Sequence, residues 1–467
     1  MSDMQRDLEQ LGTQLWPDTE ALRPEKAAGG TPTVIPPKRH RGLEPLLALA
    51  TSAILIAGLV AAVALGRTSA PRTAAPVPPK PTAPVASVSA AQLAAGHWSV
   101  LPPAPITPRT GASVVWTGTE LLVWGGGSSA AGQTLHSDGA AYNPRTGRWR
   151  SLPPAPLSSR VEQTAAWDGA EMIIWGGYDQ LSALHVTNDG AAYDPQTDRW
   201  RMLPPAPLSA RAQVISTWTG TDLILLGGYP AVTRDFNSFH DGASYDPSTD
   251  RWTAILPPTP PPGHPVAWRA AVQAGDKLLA FSDWATTTSC GGGCVTGDSG
   301  TDLFTYNEQT AAWHFVSPAS GALHGTEQVL WTGQFAIVRG GGWCGACAGP
   351  AQPLQSAEYD PMRNTWITLA ADPIAWGHPL STWVGTALFS FNADASVGSP
   401  SGTISPGDAT AYDPGGSWIK LPSAPNGCGS PPVDSIVWTG HQVLLYCPSP
   451  GQWSAAAPSG LAYTVGS

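Results

Sequence analysis

The chain has 467 residues and a formal net charge of −10, with 51 glycines, 48 prolines and 21 tryptophans against 8 phenylalanines. From His97 onward, 15 basic and 27 acidic residues leave a charge of −12, which excludes the basic face that nucleic-acid phosphates require. The length allows one large domain with appendages, and the glycines and prolines recur at regular places, as turn punctuation does.

Residues 1–42 read as a short cytoplasmic tail. Met4, Leu8, Leu11, Leu15 and Trp16 share one helical face, Ser2 is a candidate cap and Pro17 a stop. Such a helix is marginal alone, so it is either a frayed tail or a docking segment that folds on a cytoplasmic partner. Residues 43–66 read as a transmembrane helix. No charge falls between Leu46 and Gly66, a run long enough for a hydrocarbon core of roughly 30 Å. Lys38, Arg39 and Arg41 before it outweigh Arg67 and Arg72 after it, which predicts the N-terminus inside and the remainder outside. A cleaved signal peptide is the competing reading, against which stand the length of the run and the residues preceding it. Residues 67–96, rich in Pro, Ala, Ser and Thr, read as an extended spacer.

Residues 97–467 repeat. Tyr142, Tyr193, Tyr245, Tyr306, Tyr359, Tyr412 and Tyr463 stand 51 to 61 residues apart, and all but the last are followed six or seven positions later by Trp149, Trp200, Trp252, Trp313, Trp366 and Trp418. Each unit opens on an apolar run ending in W-T-G or a variant, where the glycine supplies a hairpin's positive φ. A second run follows, then Gly-Gly in the first three units and the fifth. Y-D-P-x-T-x-R-W makes the turn from third to fourth strand, and L-P-P-A-P closes the outer strand, where proline blocks further pairing.

A period near fifty is that of a propeller blade, and paired glycines, tyrosine and spaced tryptophan resemble the kelch repeat family over about residues 97–465. The resemblance implies an all-β, seven-bladed kelch-type propeller of four-stranded antiparallel blades. Ser282-Asp283, Phe391-Asn392 and Cys447-Pro448 stand where the family has paired glycines, which puts those loops in question but not the blades. Trp98 precedes every tyrosine and Tyr463 has no tryptophan after it, so the strand at Trp98–Leu101 is expected to complete the blade that ends at Tyr463.

Arg109, Arg160 and Arg211 each precede their blade's tryptophan by seven residues, and His324 shares that register in the fifth blade. Guanidinium groups at a channel mouth suit bidentate capture of an acidic ligand; the alternative is a strut repeated because the fold needs it. Asp138, Asp189, Asp241, Asp302 and Asp408, four residues before their tyrosines, read as turn chemistry and not as a calcium site. His136, His185, His240 and His264 fall in loops of the same face. Galactose oxidases are copper enzymes on this type of fold, but no matching motif is present, and no cofactor or metal is expected. Cys290, Cys294, Cys344, Cys347, Cys428 and Cys447 are disulfide candidates if they face an oxidising compartment. Local and cross-blade pairings both stay open, and a four-thiolate zinc site is the lesser alternative.

The expected function is a membrane-anchored extracytoplasmic binding module for a protein, peptide or surface glycan. A carbohydrate-active enzyme, or a sensor acting through the 4–16 segment, is the alternative.

Overall fold

The computed structural model describes residues 88–466 apart from 129–133, 181–184, 231–237, 286–287, 291–293, 297–298, 319–322, 324–325, 341–354, 375–379, 393–406, 414–415, 426–434 and 448–458. The expected tail, transmembrane helix and most of the spacer lie outside the described residues. Among the described residues, no helix is long and apolar enough to cross a membrane.

Seven four-stranded antiparallel sheets are arranged as blades. Blade 1 runs through Ser113–Trp116, Leu121–Trp124, Gly139–Asn143 and Arg148–Ser151. The first strands of successive blades touch all the way round, from blade 1 through blade 7 and back to blade 1, so the structure is a closed seven-bladed propeller. Second strands such as Leu121–Trp124, Met172–Trp175 and Leu223–Leu226 are buried at every residue. Both of their faces meet a neighbouring blade, so an uninterrupted apolar run replaces alternation. The apolar clusters accordingly lie between blades: Val115, Leu122 and Trp124 of blade 1 pack with Met172, Ile174 and Tyr193 of blade 2.

The tyrosine–tryptophan spacing has two physical causes. Tyrosine and tryptophan are cross-strand partners in register, and all seven pairs bring their rings to 4.8–5.1 Å between centroids, a favourable tilted contact. The indole also reaches the preceding blade. Trp149 Nε1 donates to the Pro102 carbonyl at 2.9 Å, Trp200 to Pro153 at 3.0 Å and Trp252 to Pro204 at 2.9 Å. Trp313, Trp418 and Trp98 make the same bond to Leu256, Ala370 and Pro422. The acceptor is always the carbonyl just past the preceding blade's last strand, which is why L-P-P and the tryptophan repeat together.

The ring closes as the aromatic residues require. His97–Val100 is the outer strand of blade 7 and pairs with Gly460–Thr464, Trp98 opposite Tyr463. Residues expected in the spacer belong to this closure. Ala90–Ala94 is a short helix, started by a Ser89–Gln92 capping box, and its Leu93 is fully buried among Phe389, Leu445 and Tyr463. The Tyr463 hydroxyl donates to the Leu93 carbonyl, and Gly466 N donates to Gln92 O at 2.9 Å. Residues 88–95, which composition assigns to the spacer, are therefore part of the propeller. The blades lacking paired glycines form their sheets as well.

Candidate functional site

Two kinds of loop share one face of the propeller, those between second and third strands and those between blades. Arg109, Arg160 and Arg211 all start there, and all three are 0% exposed. Arg109 Nη1 and Nη2 meet the two Asp138 oxygens at 2.6 and 3.3 Å. Its remaining donors reach the carbonyls of Thr107 at 2.8 Å and Gly125 at 3.3 Å. Arg160 repeats this with Asp189, and Arg211 with Asp241. The backbones of Arg160 and Arg211 serve the blade before: Gly126 N donates to Arg160 O at 2.8 Å, and Gly177 N to Arg211 O at 3.0 Å. These glycines take positive φ, and a side chain on Gly126 would stand 2.8 Å from the Thr110 carbonyl.

The guanidinium groups expected to grip a ligand are thus enclosed and occupied by their own repeat. The half-exposed aspartates stand outermost, with side-chain exposures of 56, 43 and 41% for Asp138, Asp189 and Asp241. Burial alone would raise the Asp138 and Asp189 pKa values; the bonds and charge of Arg109 and Arg160 override it and hold both below the ordinary 3.8. The five aspartates read as turn residues include three that are strut partners. His324 lies outside the described residues, as do Cys344, Cys347 and Cys428. The backbone register sets Cys290 opposite Cys294 at the tip of the blade 4 hairpin, and Cys447 is not a free thiol.

The histidines scatter. His136 Nε2 lies 3.2 Å from Ser128 Oγ, His185 Nδ1 2.6 Å from Asp179, and His264 Nδ1 2.9 Å from Asp302. His240 serves through its carbonyl, which accepts from Trp268 Nε1. Among the described residues, no three His, Cys, Asp or Glu side chains are grouped to hold a metal.

A different set of residues does come together at the mouth. Gly111, Glu162 and Gln213 occupy one position in blades 1–3, two residues after each arginine, with φ of 65, 56 and 54°. They are linked in series, Glu162 N donating to Gly111 O at 3.3 Å and Gln213 N to Glu162 O at 3.1 Å. Non-glycine residues in this region carry strain, and such residues cluster at binding sites. The Gln213 side-chain amide donates to the Glu162 carboxylate, whose pKa burial raises. Tyr178, 5% exposed, has its pKa pushed up to about 12 by burial and by the nearby Glu162 and Tyr229. Tyr229 OH accepts from Arg269 Nη1 at 3.3 Å, and Arg269 Nε donates to Asp283 at 3.1 Å. Asp283 also accepts from Thr301 Oγ1 and Thr326 N, while burial raises its pKa. Glu162, Tyr178, Tyr229, Arg269 and Asp283 form a polar arc across blades 2–4. Among the described residues of the arc, Arg269, with a 42% exposed side chain, is the guanidinium available to solvent. It begins no repeat register, so repeat logic passes over it; a charged residue within a first strand is the signal.

Comparison with known proteins agrees with the architecture. Residues 82–282 match the KLHDC2/KLHL20/DRC7 Kelch-repeats domain. Over those residues the propeller is similar to kelch-repeat domains. The chain is 25% identical over 308 residues to the Kelch-like protein terF of Aspergillus terreus, covering 55% of this chain and 67% of that protein. It is 29% identical over 111 residues to the F-box protein AFR of Arabidopsis thaliana, and 27% over 178 residues to Kelch repeat and BTB domain-containing protein 12 of Danio rerio. The shares covered are 24 and 35% of this chain, and 29 and 28% of those two proteins, so the likeness spans under a third of either. The matched family region covers blades 1–3, where the paired glycines and arginine struts are intact.

Proposed function

We propose that this kelch-repeat propeller is a protein-binding module whose ligand lands on the mouth arc. The observation that carries this reading is the contrast between faces. The Y-D-P-x-T turns repeat, and their polar groups are spent locally: Asp194 and Asp246 each accept from the backbone two residues on. No other blade has an arginine at the position of Arg269 or an aspartate at that of Asp283, and the arc sets this exposed guanidinium beside a tyrosine hydroxyl and a carboxylate. One relative is named an F-box protein, and another carries BTB beside kelch repeat in its name, which supports a propeller used as a binding part. Glu162 and Asp283 stand on blades 2 and 4 with separate hydrogen-bond partners, an arrangement that supports holding a ligand over cleaving one.

The test is photo-crosslinking from the arc and from the opposite face. A crosslinking residue at Tyr229 should capture the ligand in cells, while one at Thr249 should not; equal capture would sink the reading.

We further propose that residues 43–66 anchor the chain, with the propeller outside and the cysteines oxidised. The charge asymmetry and the apolar run support this. Protease added to intact cells should then remove the propeller, and non-reducing mass mapping should find no free thiol. A protected propeller or six free thiols would reject it.

A further inference from the structure

Blade 4 lacks the arginine strut but keeps its aspartate. In blades 1–3 the carboxylate four residues before the tyrosine is held by both terminal nitrogens of a buried arginine, at 2.6 and 3.3, 2.8 and 3.3, and 2.7 and 3.3 Å. Asp302 occupies the same place before Tyr306. The residue in the arginine register, seven before Gln273, is Val266, and it packs into the core with Ile255 and Trp268. The Asp302 carboxylate is 3% exposed. Among the described residues it receives one side-chain bond, from His264 Nδ1 at 2.9 Å to Oδ2, and its Oδ1 is buried with no partner. A buried carboxylate oxygen without a donor is costly, and the neighbouring blades show which group removes that cost.

We propose that Asp302 is a cation site, completed in trans by the guanidinium of an arginine side chain on a binding partner. Three features specify the group. The carboxylate offers a free oxygen in a position where this fold elsewhere places a guanidinium. His264 lies on the solvent side, 24% exposed, and comes from the inter-blade linker, not a strand, so it is the side chain that yields. Its imidazole stacks on the Trp284 ring at 3.8 Å and 13°, a flat aromatic seat that favours a planar guanidinium over an ammonium. The domain's charge of −12 attracts such a group, and Asp283 beside Trp284 is already matched by Arg269. The inference deepens the protein-binding reading and rests on it for the source of the arginine, but not for the existence of the site.

The test titrates the full-length chain with N-acetyl-arginine methylamide and its neutral citrulline counterpart, observed calorimetrically and by saturation-transfer NMR. The arginine compound should bind and the citrulline compound should bind at least about tenfold more weakly, as loss of a charge-assisted pair predicts. Asp302→Asn should weaken arginine binding by a similar factor. Val266→Arg supplies the missing group in cis, and should raise Tm and abolish arginine binding. Should either variant fail to fold, His264→Ala decides: arginine should still bind and should raise its Tm more than that of the parent chain. Equal binding of the two compounds, binding that survives Asp302→Asn, or a His264→Ala chain indifferent to arginine would overturn the proposal, leaving water as the partner of Oδ1. If arginine fails while crosslinking at Tyr229 still captures a ligand, only this inference falls; if both fail, the binding reading falls too.

Discussion

Blades 1–3 and blades 4–7 reach the same four-stranded sheets by different means. In the first group the arginine–aspartate strut repeats in all three blades, and a second arginine brace repeats in two. Arg150 joins Glu120 of its own blade to Tyr193 and Asp198 of the next, and Arg201 joins Glu171 to Tyr245 and Asp250. In the second group the braces are individual. Arg339 of blade 5 is buried against Asp372, with Ser390 of blade 6 2.9 Å from Nη1. His264 stands in for an arginine, and the Asp408 carboxylate of blade 6 is met by Ser423 and Lys420. Apolar second strands and aromatic pairs, common to both groups, are therefore sufficient for a blade. The polar braces are replaceable, and a replaced brace leaves room for a site.

The largest effect should come from the closing strand, which belongs to the common part. Deleting residues up to Leu101 removes an outer strand, Trp98 and the Leu93 anchor together, and should abolish cooperative thermal unfolding. A domain starting at Pro105 with an unchanged Tm would break the comparison at its base. Trp98→Ala alone should cost about 3 kcal/mol, as large aromatic truncations do.

The two kinds of arginine come next. Arg160→Ala leaves Gly176 O and Asp189 without their donor, and should cost about 3 kcal/mol, the low end for a severed buried pair, because Asp189 can rehydrate. The depressed folded-state pKa of Asp189 means that the strut's contribution is present above the ordinary 3.8 and is lost as pH falls further. Denaturant melts at pH 7 and pH 3 should show the gap between parent and variant shrinking. Arg269→Ala, by contrast, should leave Tm nearly unchanged and lower crosslinking from Tyr229. If Arg269→Ala unfolds the chain and Arg160→Ala does not, the assignment of strut and site is reversed.

Trp200→Phe keeps the ring and loses the bond to Pro153, for about 1 kcal/mol. The smallest effect belongs to Glu162. Its raised folded-state pKa makes the ionised form a penalty at neutral pH that is relieved as pH falls through that value. Glu162→Gln should therefore raise Tm slightly at pH 7, with the gain gone below about the ordinary 4.5. A gain independent of pH would show that the strain at φ 56°, and not the charge, sets the cost.

The blades were legible because their signals are local or strictly periodic. The Trp98–Tyr463 pairing followed from counting orphans at the two ends. The struts were legible as positions but not as burial. An arginine seven before the tryptophan and an aspartate four before the tyrosine occur together in blades 1–3, and that joint occurrence marks a pair, which neither residue shows alone. The helix at Ala90–Ala94 was hidden in a Pro/Ala-rich stretch, since five residues carry no period. The arc was hidden because Glu162, Tyr229 and Arg269 lie on different blades, and only ring geometry makes them neighbours.

The closing strand also orders events in time. Leu93 and the tyrosine that holds it are 370 residues apart, so on the ribosome the strand His97–Val100 emerges first and waits for its partner until nearly the whole propeller has been made. Blades 1–6 each finish on local hairpins as they emerge, whereas blade 7 pays a loop-closure entropy spanning the entire ring. During that wait Trp98 and Val100 form an unpaired apolar strand, which makes the interval before closure the period of greatest exposure to misassociation.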